Sequence, residues 1–393
     1  MITNDPIIIV EGARTAVASF GGGFKDVPAH VLGATAVKEA LNRAGLSPKD
    51  PEEFVMGCVG QVGPDAFLAR RVALEAGADP SSTALTVNRL CGSGLQAIAT
   101  AASELREGES SIVVAGGAEN MTRQPFMDFQ ARNGYRLGHH ELVDGTLSLV
   151  TDPWGEYPMG RTAENVAERF RISREEQDAF ALESQRRAAA AQDEGLVDGE
   201  IAPVTVSSRR GDTVVDRDEH PRKTSLEALG KLRPAFSKTG SVTAGNASGI
   251  NDGAAALVLA RESEADLRGL PKLAEFVAFT KVGIAPEIMG YAPTAAISKV
   301  LDKAGLKLSD IGWIELNEAF ASQAVAVVRD AGLDPEIVNP LGGAIAWGHP
   351  VGATGAILTL RTIYNLRRLG REYGLVTMCI GGGQGVAAIV RAY

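Results

Sequence analysis

Short apolar, β-branched runs alternate along the chain with alanine-rich stretches whose apolar residues recur at helical spacing. This alternation predicts an α/β fold built on mainly parallel strands. The same pattern occurs twice. Residues 36–56, A-V-K-E-A-L-N-R-A-G-L-S-P-K-D-P-E-E-F-V-M, predict a helix, a turn opened by A-G-L, and a strand. Residues 296–316, A-I-S-K-V-L-D-K-A-G-L-K-L-S-D-I-G-W-I-E-L, predict the same three elements. Two further matches follow in the same order: V-N-R-L-C-G at 87–92 with V-N-P-L-G-G at 338–343, and I-V-V-A-G-G-A-E at 112–119 with V-T-M-C-I-G-G-G at 376–383. Three matches in register order imply a duplicated core. Packed together, the copies would bring their reactive turns to one crevice at the strand ends.

Between the copies, from about residue 119 to 244, the sequence turns polar and irregular around one strong helix. Ser173 followed by Glu176 reads as a capping box, and E-E-Q-D-A-F-A-L-E-S-Q-R-R-A-A-A-A continues at helical period. This stretch interrupts the first copy, whose last strand is G-A-A-A-L-V-L-A at 253–260. The expected organisation is a first core half of residues 1–120 plus 245–270, an inserted loop domain of 121–244, and a second core half of 271–393. Such an insertion is a natural lid or ligand-binding domain.

Composition narrows the function classes. The 393 residues suffice for two or three packed units, and the 45 glycines with only 5% aromatics favour tight backbone approaches over an aromatic platform. A formal charge of -9 without a basic stripe argues against nucleic acid. No run approaches the roughly 18 apolar residues of a membrane span, and the start M-I-T-N-D-P-I-I-I-V carries no basic leader. Three cysteines, an odd number, argue for a reducing compartment, and the expected location is the cytoplasm.

The three cysteines are unlike one another. Cys91 in N-R-L-C-G-S-G and Cys379 in M-C-I-G-G-G-Q-G sit in glycine-framed turns, whereas Cys58 in F-V-M-G-C-V reads as a buried small hydrophobe. Cys91 follows the run L-T-V-N-R-L and opens an alanine-rich helix, whose free N–H groups are expected to stabilise a thiolate there. Of the five histidines only His349, in W-G-H-P-V-G, lies in a glycine-framed turn of the second copy. His139 and His140, adjacent to each other and to Glu141, read as a solvated loop, and no metal site is expected.

Four segments taken together, N-R-L-C-G-S-G-L-Q-A (88–97), N-E-A-F-A (317–321), G-G-A-I-A-W-G-H-P-V-G-A-T-G-A (342–356) and residues 379–385, resemble the thiolase family, in its acetyl-CoA acetyltransferase branch. The resemblance extends over nearly the whole chain, including M-G-R-T-A-E-N-V-A at 159–167 and N-A-S-G-I-N-D-G-A-A at 246–255. It implies a duplicated α/β/α/β/α core with an inserted loop domain. The implied activity is acyl transfer between coenzyme A thioesters, with acetyl-CoA, 3-ketoacyl-CoA and CoA as substrates and no bound cofactor. It also implies a homo-oligomer, a dimer at least, and a tetramer given a loop like residues 122–137.

The resemblance assigns roles by position. His349 activates Cys91, which carries the acyl group, and Cys379 supplies acid and base. The N–H groups of Cys91 and Gly381 form one oxyanion site; His349 and a water held by Asn317 form the other. A thiolate attacking a thioester makes another thioester at little cost, which suits a cysteine carrier with an adjacent base. The phosphates of coenzyme A need a local cationic spot, for which H-P-R-K-T-S makes Arg222 and Lys223 the candidates. Ala244 and Ser248 match pantetheine contacts of the family, and Met159, Phe320 and Met289 match its pantetheine and acyl tunnel.

One position departs from the pattern. Pro158 stands where short-chain biosynthetic members carry histidine, as in some broader-chain degradative members, which leaves a degradative 3-ketoacyl-CoA thiolase as the alternative. A dinucleotide-binding oxidoreductase is disfavoured, since G-G-G-Q-G-V lacks the third glycine of the fingerprint and lies near the C-terminus. A ketoacyl synthase would carry histidine in place of Cys379, and a non-catalytic relative would lack Cys91 or His349.

Overall fold

The structure, a computed structural model, describes residues 5–209 and 211–393. Among the described residues ten strands form the central sheet, nine of them along one path: β1 (Ile7–Arg14), β2 (Glu53–Gly57), β3 (Thr83–Val87), β4 (Ile112–Asn120), β5 (Asn251–Arg261), β6 (Ala274–Gly283), β7 (Ile311–Leu316), β8 (Tyr373–Ile380) and β9 (Gln384–Ala392). They lie in the order β7-β8-β9-β6-β1-β5-β4-β2-β3, and the two-residue strand Ala18–Ser19 pairs with β5 beside this path. Between β1 and β6 only two residue pairs meet, Ile8 with Glu275 and Ile9 with Ala274. The sheet is therefore two half-sheets joined at a narrow seam.

On either side of the seam the order of elements repeats. In the first half β1 leads through α1 (Ala29–Ala44) to β2 and β3, then through α2 (Ser93–Glu107) to the β4/β5 pair. In the second, the insertion helix α3 (Arg174–Asp193) being set aside, β6 leads through α4 (Ala292–Ala304) to β7, α5 (Ala321–Asp330) and α6 (Thr354–Leu369), then to the β8/β9 pair. Val338 bridges Ile314 in parallel, in the place that β3 takes beside β2.

Strand residues alternate between the two faces, and both faces are buried. Ile7 and Ile9 join the core shared with Leu95 and Ile98 of α2 and Ile357 and Ile363 of α6, while Ile8 and Val10 pack with Leu32, Val37 and Leu41 of α1. Ile314, Leu316 and Leu375 face Val300 of α4 and Val327 of α5. The layers therefore run helix, half-sheet, helix, half-sheet, helix, with α2 and α6 in the middle.

Mainly parallel strands were the expectation, and here the structure differs. Only β2/β3, β2/β4 and β7/β8 are parallel; β1/β5, β1/β6, β4/β5, β6/β9 and β8/β9 are antiparallel. Each half closes on a hairpin pair, a connection that parallel strands cannot make. In the second half the turn is residues 381–383, with Gly382 and Gly383 at φ 82° and 79°, a conformation natural to glycine. In the first half β4 runs on to Asn120, and residues 121–250 occupy the place of that turn. Glu119 thus lies in a buried strand.

The insertion helix begins as its capping box requires: Ser173 Oγ accepts the Glu176 N–H at 3.2 Å, and Glu176 Oε2 accepts the Ser173 N–H at 2.7 Å. A buried ion network ties the insertion to the core. Arg14 on β1 holds Glu200 at 2.6 Å and Asp218 at 2.8 Å, and Arg361 of α6 reaches Glu200 at 3.3 Å. The two carboxylates hold the Arg14 guanidinium well above its ordinary pKa. Arg14→Met should leave Glu200 and Asp218 short of a cation inside the protein and lower unfolding stability by about 3–5 kcal/mol, read from denaturant midpoints. A loss below about 1 kcal/mol would show that water reaches the network.

Candidate active site

Four chain turns meet at one cavity of about 490 Å³. Cys91 lies just before α2, His349 in the turn before α6, Gly381 in the β8/β9 turn, and Phe320 at the start of α5. Leu90 takes a left-handed φ of 47° immediately before the cysteine. The cavity wall also includes Met159, Met289, Ala244, Ser248 and Arg222, so nine of the twelve residues singled out from sequence surround it. Cys379 and Asn317 lie directly behind the wall. Cys379 is fully buried against Met159, Met289 and Phe320, and Asn317 stands behind His349. Lys223 is exposed and does not line the cavity.

The sulfur of Cys91 receives the backbone N–H of Gly381 as well as its own, but burial outweighs both and pushes the thiol up to about 11. Desolvation thus opposes the thiolate expected at the helix start. Helix α2 begins only at Ser93, with Gly92 as its cap, so Cys91 stands one residue outside the free N–H groups. Burial and the nearby Cys91 push the Cys379 thiol higher still.

His349 is buried, and burial lowers its imidazole to about 4. Its tautomer follows from Thr354. The Thr354 hydroxyl has one proton, which it donates to the Pro350 carbonyl at 2.9 Å, so it accepts from His349 Nδ1 at 2.7 Å. Nε2 is then the free base. It accepts from Asn317 Nδ2 at 3.4 Å, while Asn317 Oδ1 has no partner among the described residues. The His349 backbone N–H is held by Asn251 Oδ1 at 2.9 Å, and Asn251 in turn donates to the Ala18 carbonyl at 3.0 Å.

Thr354, Asn251 and His220 are site residues that sequence reasoning missed. Thr354 follows the histidine by five residues in a segment already singled out, and Asn251 stands beside Asp252 at the start of a strand that is apolar from Ala254 to Ala260; a polar side chain in such a place is the signal. His220 lines the cavity, with its imidazole lowered to about 4 by burial and by Arg222. Arg222 donates to the Ala244 carbonyl at 2.7 Å, so its head lies across the cavity rim. Leu147, Leu149, Val150 and Pro158 form an apolar wall. His139 and His140 are exposed, and among the described residues no three His, Cys, Asp or Glu side chains gather around a metal-sized space.

A partly exposed thiol and a neutral imidazole on the wall of one cavity, with backbone N–H groups aimed at the sulfur, suit acyl transfer through a covalent thioester. The sequence profiles of the thiolase N-terminal and C-terminal domains match residues 7–263 and 270–392. The chain belongs to the thiolase family. It is 49% identical over 386 residues to the beta-ketothiolase BktB of Cupriavidus necator, covering 98% of both chains. It is 46% identical over 389 residues to the acetyl-CoA acetyltransferase of Shinella zoogloeoides, covering 98% and 99%. Among solved structures, the Bacillus anthracis acetyl-CoA acetyltransferase superposes with a TM-score of 0.98 at 42% identity over 100% of both chains. Human mitochondrial 3-ketoacyl-CoA thiolase in complex with CoA superposes with 0.95 at 41% identity, over 99% of this chain and 98% of that one.

Two measurements follow from this geometry. With the thiol near 11, alkylation of Cys91 by iodoacetamide should rise roughly tenfold per unit from about pH 7 to about pH 9, because the thiolate fraction does so. A plateau near neutrality would show a resident thiolate–imidazolium pair. Thr354→Val removes the acceptor that fixes Nδ1–H, and the rate of Cys91 acylation should fall by roughly 10–10²-fold, as when an orienting partner of a histidine is lost. An unchanged rate would mean that the tautomer is set elsewhere.

Proposed function

We propose that this thiolase condenses two acetyl-CoA molecules reversibly to acetoacetyl-CoA and CoA through an acyl group on Cys91. One observation carries the reading: Cys91, the Gly381 N–H that reaches its sulfur, and His349, whose Nε2 is the unprotonated ring nitrogen, line one largely apolar cavity together with Arg222 and Ser248.

His349 takes the Cys91 proton as the sulfur attacks the thioester carbonyl. The N–H groups of Cys91 and Gly381 receive the negative oxygen, the thioester bond breaks, and Cys379 protonates the departing CoA thiolate. A second acetyl-CoA then enters. Cys379 removes its α-proton, the enolate oxygen faces His349 and a water that the unpartnered Asn317 Oδ1 can hold, and the carbanion attacks the acyl carbon. A C–C bond forms, the C–S bond to Cys91 breaks, and the thiolate recovers its proton. Coenzyme A is substrate and product here, and the chemistry calls for no resident cofactor. Arg222 at the rim suits its phosphates and Lys223 lies further out, while Ala244 and Ser248 suit the pantetheine.

The alternative, a degradative thiolase of broader chain length, is supported by the apolar wall of Leu147, Leu149, Val150 and Pro158 and by the likeness to the human 3-ketoacyl-CoA thiolase. An oligomer is part of the reading: β3 is an edge strand with Leu85 exposed, and Phe126, Phe129, Leu137 and Leu142 expose apolar surface on the insertion. The proposed assembly is a homodimer, or a tetramer built with the insertion. A cytoplasmic location is proposed from the three free cysteines.

Brief exposure to acetyl-CoA should leave one acetyl group on the Cys91 peptide, and Cys91→Ala should abolish both acylation and turnover. Cys379→Ser should retain measurable acylation while turnover falls by about 10²–10⁴-fold. Acetyl found only on Cys58, or none on an active preparation, would sink the scheme; near-wild-type turnover of Cys379→Ser would move the acid–base role to another residue. Thiolysis rates across C4, C5 and C6 3-ketoacyl-CoA decide chain length. An open tunnel gives comparable specificity constants, whereas a C4 preference beyond roughly two orders of magnitude identifies the strict acetoacetyl-CoA enzyme.

A further inference from the structure

Glu119, the penultimate residue of β4, is fully buried, and no step above uses it. Its Oε2 accepts the N–H groups of Val59 at 2.9 Å and Gly352 at 3.0 Å. Its Oε1 accepts the Gly60 N–H at 2.9 Å and faces the Cys58 thiol at 3.8 Å. Val59 and Gly60 belong to the turn after β2 in the first half, whereas Gly352 follows His349 by three residues in the second. One carboxylate therefore joins the two halves beside the reacting groups. The approach is close: a Cβ at Gly352 would stand 2.6 Å from Oε2 and 2.9 Å from Cys58 Cα, so only glycine lets the histidine turn reach it.

All four partners are donors, so the ionised carboxylate is the form that fits; a proton on it would face N–H or S–H. Burial pushes this group up to about 7, and the three N–H groups oppose that rise. Its charge also raises the Cys91 thiol. A group that works against the nucleophile electrostatically and is still placed here acts through geometry.

We propose that Glu119 is a positioning residue for the acylation step, holding the His349 turn against the first half so that Nε2 can take the Cys91 proton. The proposal rests on the acylation chemistry above, and wild-type acetylation measured in parallel reports on that chemistry separately.

The test is single-turnover acylation by acetyl-CoA of Glu119→Gln and Glu119→Asp, each in the wild-type and in the His349→Ala background. The Gln side chain keeps the size but turns an amide NH₂ toward a donor, and Asp keeps the charge but is one methylene too short to span both turns. Acylation should fall by roughly 10–10²-fold in the wild-type background, the scale of a displacement of about 1 Å at a reacting pair. KM for acetyl-CoA should change less than about threefold, since uniform binding is untouched. In the His349→Ala background the further loss should be under about threefold, because residues acting as one unit are non-additive. A wild-type-background loss under about threefold, or equal losses in both backgrounds, would overturn the proposal. Failure of both variants to fold would assign Glu119 to core stability and overturn it as well.

Discussion

The site depends on one constraint: the turn that carries His349 belongs to the second half of the chain, but two of its backbone N–H groups find acceptors on the first. Asn251, at the start of β5, takes the His349 N–H, and Glu119, near the end of β4, takes the Gly352 N–H. Buried N–H groups must be paired, so the turn has no comparably satisfied position away from these two side chains. Because β4 and β5 are adjacent strands, the two acceptors are fixed relative to each other and to Cys91, whose helix α2 packs on α6 directly behind the histidine turn. Docking of the halves and assembly of the reacting pair are one event.

Repetition of the fold makes its asymmetry readable. Both halves end in a hairpin pair. In the second the hairpin closes through three glycines, which leaves Cys379 at the end of a buried strand and the Gly381 N–H free to face the sulfur. In the first, residues 121–250 replace that turn and return as the cavity wall, with Met159, His220, Arg222 and Ser248. Gly117 shows how tightly the halves meet, since a Cβ there would lie 2.0 Å from the Gly352 carbonyl. The first copy holds the partner's turn at the place where the second carries chemistry.

Much of this was legible in the chain. Glycine frames mark turns that approach other groups closely, and they picked out Cys91, His349 and Cys379; the Ser173 capping box is a local signal that tertiary structure did not override. Two readings fell short for identifiable reasons. Apolar runs buried on both faces look alike whether parallel or antiparallel, so strand direction was invisible. The expected Cys91 thiolate neglected desolvation, which depends on the insertion folding over the site. Glu119, inside the first core half, was not singled out as a site residue, because nothing local distinguishes a surface carboxylate from one that four donors surround. Lys223, adjacent to Arg222, is exposed and does not line the cavity.

The resting protonation states also bear on how the reaction begins. Burial raises the Cys91 thiol and lowers the His349 imidazole, so both shifts oppose moving the proton between them before the attraction within the resulting ion pair is counted. A pre-formed thiolate is therefore costly, and both groups are neutral in the buried site, where an unpaired charge is most expensive. The thioester changes the balance. As sulfur attacks, negative charge passes to the carbonyl oxygen, where backbone N–H groups meet it, and the imidazolium is left opposite an oxyanion that is already stabilised. In the proposed scheme proton transfer accompanies attack, so the orientation of Nε2 at that moment matters more than its basicity in the free enzyme. Orientation is what the Thr354 hydroxyl and the acceptors of the first half supply.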